Sequence, residues 1–420
     1  MWSSPPVLWG GPALTVGGKR LAMRIGLFTD TYVPDTNGVV TVVRLMEREL
    51  TRAGHDVYVF APAHPSVRDT RPEVFRFRSF RMVLYKGMRV PIPYNRRAYQ
   101  VLRSLDIVHS HDPFSIGLLG FWAARRYEIP HVHTYHALYT EYRKYLPPPF
   151  RPSASTVRRL SRLFCNRCDA IIAPSHPMER ELRSYGITVP IYAIPFGLDE
   201  EEFGRPVGWN ARQALGLPEG AEILLYVGRL AWEKNVEFLI RMFKKLAPQR
   251  PSAWLVIAGN GPYRPELEAL VAQAHLAERV KFTGYLPREH LIDLYKQATL
   301  FVFASKTETQ GLVVMESMMA GVPPVALGAM GVADLVESGK TGILVDEDEE
   351  TFAQACLRLL DDEPARRTLG QAAQAWATAH DAQASTARLL EVYQALRKAK
   401  PARREAPGES LVLDVDEAET

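Results

Sequence analysis

The sequence predicts an α/β protein of two doubly wound parallel-sheet domains facing a central cleft, and three observations carry that prediction. Short apolar runs alternate with helix-period segments. The alternation restarts after Pro195, and a stretch with several Gly and Pro residues, Pro195–Pro218, joins the two series. Strands separated by helices build parallel sheets covered on both faces, and a chain of 420 residues is too long for one ordinary core.

Taken in order, residues 1–22 carry Pro5, Pro6, Gly10, Gly11 and Pro12, which break any apolar core. Lys19 and Arg20 follow the apolar part, the reverse of a secretory signal, so the segment is expected to be a flexible leader with the natural start at Met23. Arg24–Thr29, Asp56–Ala61, Asp106–His109, His131–Thr134 and Ala170–Ala173 read as strands, with a helix over Val39–Arg52. The second series has strands at Ile223–Val227, Trp254–Ala258, Val280–Phe282, Leu300–Phe303 and Ile343–Val345, and a helix from about Glu233 to Leu246. Residues 398–420, rich in charge, Pro and Ala, read as a disordered tail.

Composition bounds the function classes. Hydrophobic content of 47% with 23% charged residues excludes wholesale disorder. No run reaches the roughly 18 apolar residues of a membrane-spanning helix. Cys165, Cys168 and Cys356 are too few for a disulfide framework and fit a reducing cytoplasm. Residues 1–200 hold 27 Lys/Arg against 16 Asp/Glu, whereas the remainder holds 24 against 31. A positive field confined to the first half suits an anionic partner, a lipid surface or nucleic acid; an accident of surface composition explains it as well.

Ligands of doubly wound sheets bind beyond the carboxyl ends of the strands, and four features of the second domain fall there. Val227-Gly228-Arg229-Leu230 ends a strand and Glu233-Lys234-Asn235 begins a helix, which brings Arg229 and Lys234 together. Two cations at a helix amino end suit a diphosphate, although a capped loop with solvated basic residues reads the same. Gly259-Asn260-Gly261 permits close backbone approach to a ligand, and a plain turn explains it equally. The most specific feature is Glu308-Thr-Gln-Gly311-Leu312-Val-Val-Met-Glu316, where Gly311 opens a helix, Glu308 sits in the loop and Glu316 lies about a turn and a half along. Carboxylates accept hydrogen bonds from vicinal hydroxyls, so two acids and two cations together describe a nucleotide sugar. Gly328–Gly331 and Gly339–Gly342 are turns near the same mouth.

Gly-Arg-Leu-x-x-Glu-Lys-Asn, the Glu308/Glu316 pair and Gly331-Val-x-Asp334-Leu-Val resemble glycosyltransferase family 4, retaining enzymes of the GT-B fold with two Rossmann-like domains. The resemblance spans nearly all of residues 23–395. It implies an acceptor-binding domain over 23–195, a nucleotide-sugar-binding domain over 196–380, and a helix over 381–397 that returns to the first domain. It implies that Arg229 and Lys234 hold the donor diphosphate, that Glu308 contacts the transferred sugar and that Glu316 contacts the ribose, with Gly311 and Leu312 between them. Pro323-Pro324 and Ala329-Met330 depart from the family pattern, which bears on donor-loop geometry.

In the first domain, Phe28-Thr-Asp-Thr-Tyr32-Val-Pro-Asp35-Thr-Asn37-Gly38 leaves a strand and enters a helix that Asn37 can cap. His109, His111, His133 and His136 cluster at strand ends. A zinc site is the rival reading, but strand alternation sends some of these rings to opposite faces, and no metal is expected. By resemblance, His111 matches the family histidine near the transferred sugar and Gly38 approaches the reaction centre, with Tyr32, Asp35 and His136 on the acceptor. The run His133-Thr-Tyr-His136-Ala-Leu-Tyr139-Thr-Glu141-Tyr142 is most similar to bacterial enzymes that glucosylate diacylglycerol.

Arg68–Arg103 carries ten Lys/Arg and two Asp/Glu among Phe75, Phe77, Phe80 and Tyr85, and Ser153–Cys168 interleaves Val157, Leu160, Leu163 and Phe164 with four arginines. Both patterns suit an anionic bilayer, and a core-facing helix with a solvated basic face suits the second equally. The Cys165/Cys168 pair has no second pair and reads as packing. Asp414-Val-Asp416 resembles a metal-binding Asp-x-Asp but falls in the expected tail.

The expected activity is therefore retaining transfer of a hexose from UDP-glucose to a lipid hydroxyl such as diacylglycerol. It needs no cofactor and no nucleic acid, and places the protein in the cytoplasm, peripheral on the inner face of the cell membrane. His111, Glu308, Arg229 and Lys234 are the expected catalytic residues. A soluble or polysaccharide acceptor, a nucleotide-sugar 2-epimerase and a nucleotide-sugar-binding regulator are the alternatives. A nicotinamide dehydrogenase is disfavoured because no G-x-G-x-x-G follows the first strand.

Overall fold

β-branched and aromatic runs such as Ile107–Ser110 and Leu300–Phe303 are buried on both faces, as central parallel strands are. A computed structural model describes residues 22–67, 69, 71–81 and 89–400, with a short antiparallel pair, Thr15–Val16 against Lys19–Arg20. The rest of the expected leader, Arg68, Met82–Met88 of the basic segment, and residues 401–420 with Asp414 and Asp416 lie outside the described residues.

The first sheet has seven parallel strands, in spatial order Ile191–Ala193, Ala170–Ala173, His131–Thr134, Ile107–Ser110, Arg24–Phe28, Asp56–Pro62 and Val74–Phe77. The second has six, in the order Val280–Gly284, Ala253–Ala258, Glu222–Val227, Leu300–Phe303, Pro324–Leu327 and Ile343–Val345. Each is an open doubly wound sheet whose strand order reverses once. The reversal lies between Arg24–Phe28 and Ile107–Ser110 in the first, and between Glu222–Val227 and Leu300–Phe303 in the second. Ligands of such sheets bind beyond the carboxyl ends of the strands at that point.

The strands at Val74–Phe77, Ile191–Ala193 and Pro324–Leu327 were not among the sequence expectations. Pro324 is tolerated because it is the first residue of its strand, paired with Phe301. The helix expected from Glu233 is shorter. Trp232–Lys234 forms a single 3-10 turn, Asn235 takes a left-handed φ of 55°, and the helix proper runs Val236–Leu246. Asn accepts that conformation more readily than most residues.

The helix Ala382–Ala399 extends through Lys398, where the tail was expected to begin. It lies on the first domain: Leu389, Leu390, Val392 and Tyr393 are buried with Met46, Leu50, Ile107 and Ile172. Gln310 ties the domains where the chain crosses over, accepting from the Phe196 amide at 2.9 Å and donating to the Phe196 carbonyl at 2.6 Å.

Candidate active site

Arg229, Lys234 and Glu308 follow the two strands at the reversal of the second sheet, Gly311 caps the helix Leu312–Met319 that carries Leu312 and Glu316, and Gly38 opens a helix of the first domain. Tyr226 donates its hydroxyl to the Arg229 carbonyl at 3.3 Å. The 3-10 turn that follows presents Lys234, whose Nζ lies 2.5 Å from Glu308 Oε1, so the expected cation and the expected sugar-binding acid form one ion pair. Burial works to lower the Lys234 pKa, but Glu308 beside it raises it to about 12.

The glycines prove to be packing devices. A Cβ on Gly259 would lie 2.0 Å from the Gly228 carbonyl oxygen, and one on Gly261 would lie 2.1 Å from that of Leu230. These glycines let two loops abut, where the sequence allowed approach to a ligand. A Cβ on Gly331 would lie 2.4 Å from the Thr309 carbonyl oxygen, and the Gly331 amide donates to the Glu308 carbonyl at 2.9 Å, so this turn braces the Glu308 loop from below. Gly339 and Gly342 close a chain reversal, N–H to carbonyl at 2.8 Å. Gly311 caps the next helix at a φ of 92°, which favours glycine.

Glu316, 7% exposed, is already engaged: Arg288 Nη1 lies 2.5 Å from Oε1, and the Tyr295 hydroxyl donates to Oε2 at 2.8 Å. Arg288 also reaches Glu202 at 3.0 Å. A carboxylate oxygen can accept more than one hydrogen bond, so this clamp orients Glu316 and leaves it able to bind a hydroxyl.

In the first domain Asn37 caps the helix Gly38–Arg52 by accepting from the Val40 amide at 3.0 Å, and its own amide donates to Thr31 at 3.0 Å. Thr31 in turn donates to Asp35 at 3.2 Å. A Cβ on Gly38 would stand 3.4 Å from Leu312 Cδ1, so the helix start and the second domain's Leu312 are in contact. Tyr32 points elsewhere. It is 3% exposed, and its hydroxyl donates to Glu47 at 2.5 Å beneath Arg71. The structure thus makes Tyr32 an anchor of its loop, while Asp35 is half-buried and accepts from Thr31.

The histidines divide as strand alternation dictates. His109 turns to one face, bonded to the Tyr393 hydroxyl at 2.5 Å and to Thr134 at 2.7 Å. His131 and His133 turn to the other, sharing the Ser110 hydroxyl and packing on Phe164. His111 and His136 lie in the loops and bond ring to ring, Nδ1 to Nε2, at 2.9 Å. Among the described residues no three His, Cys, Asp or Glu side chains converge as a metal site. His111 Nε2 is buried without a partner among the described residues. Burial, reinforced by His109 and His136, holds the His111 pKa well below its usual value, and burial with His133 lowers His136 to about 3. Both rings are neutral near pH 7.

Sequence reasoning missed the groups that join the two halves. Thr309 donates its hydroxyl to the His136 carbonyl at 2.7 Å, which links the Glu308 loop to the histidine pair. Ser175 donates to the Thr309 carbonyl at 2.5 Å, and the His176 amide donates to Asp334 at 2.9 Å. No spacing rule marks such contacts; Thr309 lay inside the strongest motif but carries no charge to flag it.

Known proteins similar to this chain show its family. Residues 36–202 match the family profile described as Glycosyltransferase Family 4, and residues 208–376 match that described as Glycosyl transferases group 1. The chain is 33% identical to an alpha-monoglucosyldiacylglycerol synthase of Streptococcus pneumoniae, over 80% of this chain and 78% of that protein. It is 31% identical to a GDP-mannose-dependent alpha-mannosyltransferase of Corynebacterium glutamicum, over 81% of each. Among solved structures, Anabaena HepE in complex with UDP-glucose superposes with a TM-score of 0.71 at 20% identity, covering 89% of this chain and 100% of that one.

Proposed function

The chain belongs to glycosyltransferase family 4 and has the GT-B fold, and from that premise we propose that it moves glucose, with retention, from UDP-glucose to the hydroxyl of diacylglycerol at an anionic membrane surface. The observation that carries this reading is the Lys234–Glu308 pair at the strand-order reversal of the second sheet, joined through Thr309 to His111 and His136. Arg229 and Lys234 would stabilise charge as it develops on the leaving diphosphate. Glu308 would hold the sugar, Glu316 the ribose, and the neutral His111 would offer its unpartnered Nε2 to the reacting sugar. Gly38 and Leu312 mark where the domains close over the donor.

The lipid acceptor is supported by likeness to the diacylglycerol synthases and by the first domain's surface. Leu160, 60% exposed, and Leu163 project from the helix Ala154–Cys165 among Arg158, Arg159 and Arg162, while Val157 and Phe164 turn inward. Exposed Leu118 and Trp122 lie on the neighbouring helix Ser115–Arg126, which packs against the first through Phe121 and Phe164. Apolar and basic groups on one surface suit anionic lipid. No helix of the described residues is long and apolar enough to cross a membrane.

The mannosyltransferase relative, at similar coverage, favours one second reading, a GDP-mannose donor. A matrix of UDP-glucose and GDP-mannose against liposomes with and without diacylglycerol, with products identified by mass spectrometry, decides between them. Glucosyl-diacylglycerol is the expected product. Epimerised donor with no lipid product would replace the proposal with a 2-epimerase.

A further inference from the structure

Between Tyr139 and Phe150 the first domain sends out a segment that crosses to the second. It is built from the short helix Tyr139–Tyr142 and two 3-10 turns, Arg143–Tyr145 and Pro148–Phe150. Three contacts anchor it on the loop of Arg229 and the turn that carries Lys234. The Tyr145 hydroxyl donates to Glu233. The Arg229 guanidinium lies 5.1 Å from the centre of the Tyr145 ring. The Lys144 ammonium lies 4.6 Å from the centre of the Trp232 ring. Tyr145 therefore touches both Arg229 and the residue preceding Lys234, from the opposite domain.

The chemistry of these contacts differs. Glu233 is buried, and Oε1 has no partner among the described residues, so Tyr145 supplies the hydrogen bond that its other oxygen requires. An arginine over an aromatic face is held by the ring quadrupole while its N–H edge remains able to donate in its plane. A long side chain at the mouth of a cleft loses freedom when it binds an anion; one already rested on a ring loses less.

We infer that Tyr145 is a positioning residue for the donor diphosphate: its ring sets Arg229, its hydroxyl fastens the Lys234 turn through Glu233, and the donor site of the second domain is complete only with this group of the first. The inference rests on the assignment of Arg229 and Lys234 to the diphosphate made above. Donor affinity is then coupled to domain closure through a named side chain.

The test is calorimetric titration of the full chain with UDP, and with GDP as a second arm, for wild type, Tyr145→Phe, Tyr145→Leu, Arg229→Ala, Lys234→Ala and the double variant Tyr145→Leu/Arg229→Ala. Tyr145→Leu is expected to weaken nucleotide binding on the order of tenfold. Tyr145→Phe keeps the ring and should recover most of that loss. In the double variant the Tyr145→Leu change should add only the hydroxyl's share, the loss that Tyr145→Phe shows alone, because the ring acts through Arg229. A purely structural role would make the losses fully additive. Fully additive losses, or wild-type binding by Tyr145→Leu, overturn the inference. Wild-type nucleotide affinity in both Arg229→Ala and Lys234→Ala, or no nucleotide binding by the wild type, overturns the underlying donor assignment instead.

Discussion

Lys234 Nζ and Glu308 Oε1 stand 2.5 Å apart, although 74 positions separate them in the chain. One side chain comes from the loop after Glu222–Val227 and the other from the loop after Leu300–Phe303, neighbouring strands that pair in parallel across the reversal of sheet order. The pair holds opposite charges in a cleft that would otherwise carry each unpaired.

Removing either partner should therefore do more than remove one contact. Lys234→Ala is expected to lower kcat by roughly two to three orders of magnitude, the size seen when a fixed transition-state donor is lost. Glu308→Gln should lower kcat while leaving UDP affinity close to wild type, because its proposed partner is the sugar. Steady-state kinetics with UDP titration on each variant separates the two roles.

A methyl on Gly38 would just meet Leu312 Cδ1, at 3.4 Å, so a larger side chain must push Leu312 away. Gly38→Leu is expected to prop the domains apart and reduce kcat at least about tenfold, since closure completes the site. UDP affinity should change little. Equal loss of both would place Gly38 on the donor and not on closure.

Tyr32→Phe removes the hydroxyl that donates to Glu47. The expected cost is about 1 kcal/mol of stability, read as a lowered denaturation midpoint, with the acceptor KM unchanged. A raised acceptor KM at unchanged stability would restore Tyr32 to the acceptor site.

Acid should destabilise the protein through its histidines. Burial is the main cause lowering all five of His109, His111, His131, His133 and His136, the last three to about 3. Their folded pKa values lie below the unfolded one, so the stability they confer is complete above about pH 6.5 and is lost as pH falls towards 3. Asp30 acts in the opposite sense. Burial and Asp112 raise it to about 7, which costs stability as pH rises from about 4 through 7. Thermal unfolding from acid to neutral pH should show Tm falling below about 6.5, and His133→Phe should flatten that fall.

Leu160→Glu together with Leu163→Glu puts two acids among arginines on an exposed face. Cosedimentation with phosphatidylglycerol vesicles should fall at least about tenfold, with UDP affinity unchanged. Unchanged vesicle binding would move the lipid contact off this helix.

The Glu308/Glu316 spacing, the helix opened by Gly311 and the two alternating series were legible because they are local. Period-2 and period-3.6 patterns are written in consecutive residues, and a cap or a strand end needs only its neighbours. Strand edges shifted by a residue or so, as at Ile107–Ser110, where pairing and not hydropathy ends the strand. Pro324 hid a strand because proline argues against one except at its first position.

Sequence by itself therefore determined the fold class and the family, and it supplied the residues from which a donor site is proposed. Tertiary structure alone decided that Arg288 and Tyr295 clamp Glu316, that Gly259 and Gly261 serve loop packing, that Tyr32 turns inward, and that Tyr145 reaches Arg229 from the other domain. His109 and Tyr393 meet across 284 positions, and Tyr145 and Glu233 across 88. Contacts at such separations depend on how two sheets and a returning helix pack, and packing leaves no periodic mark in the chain that produces it.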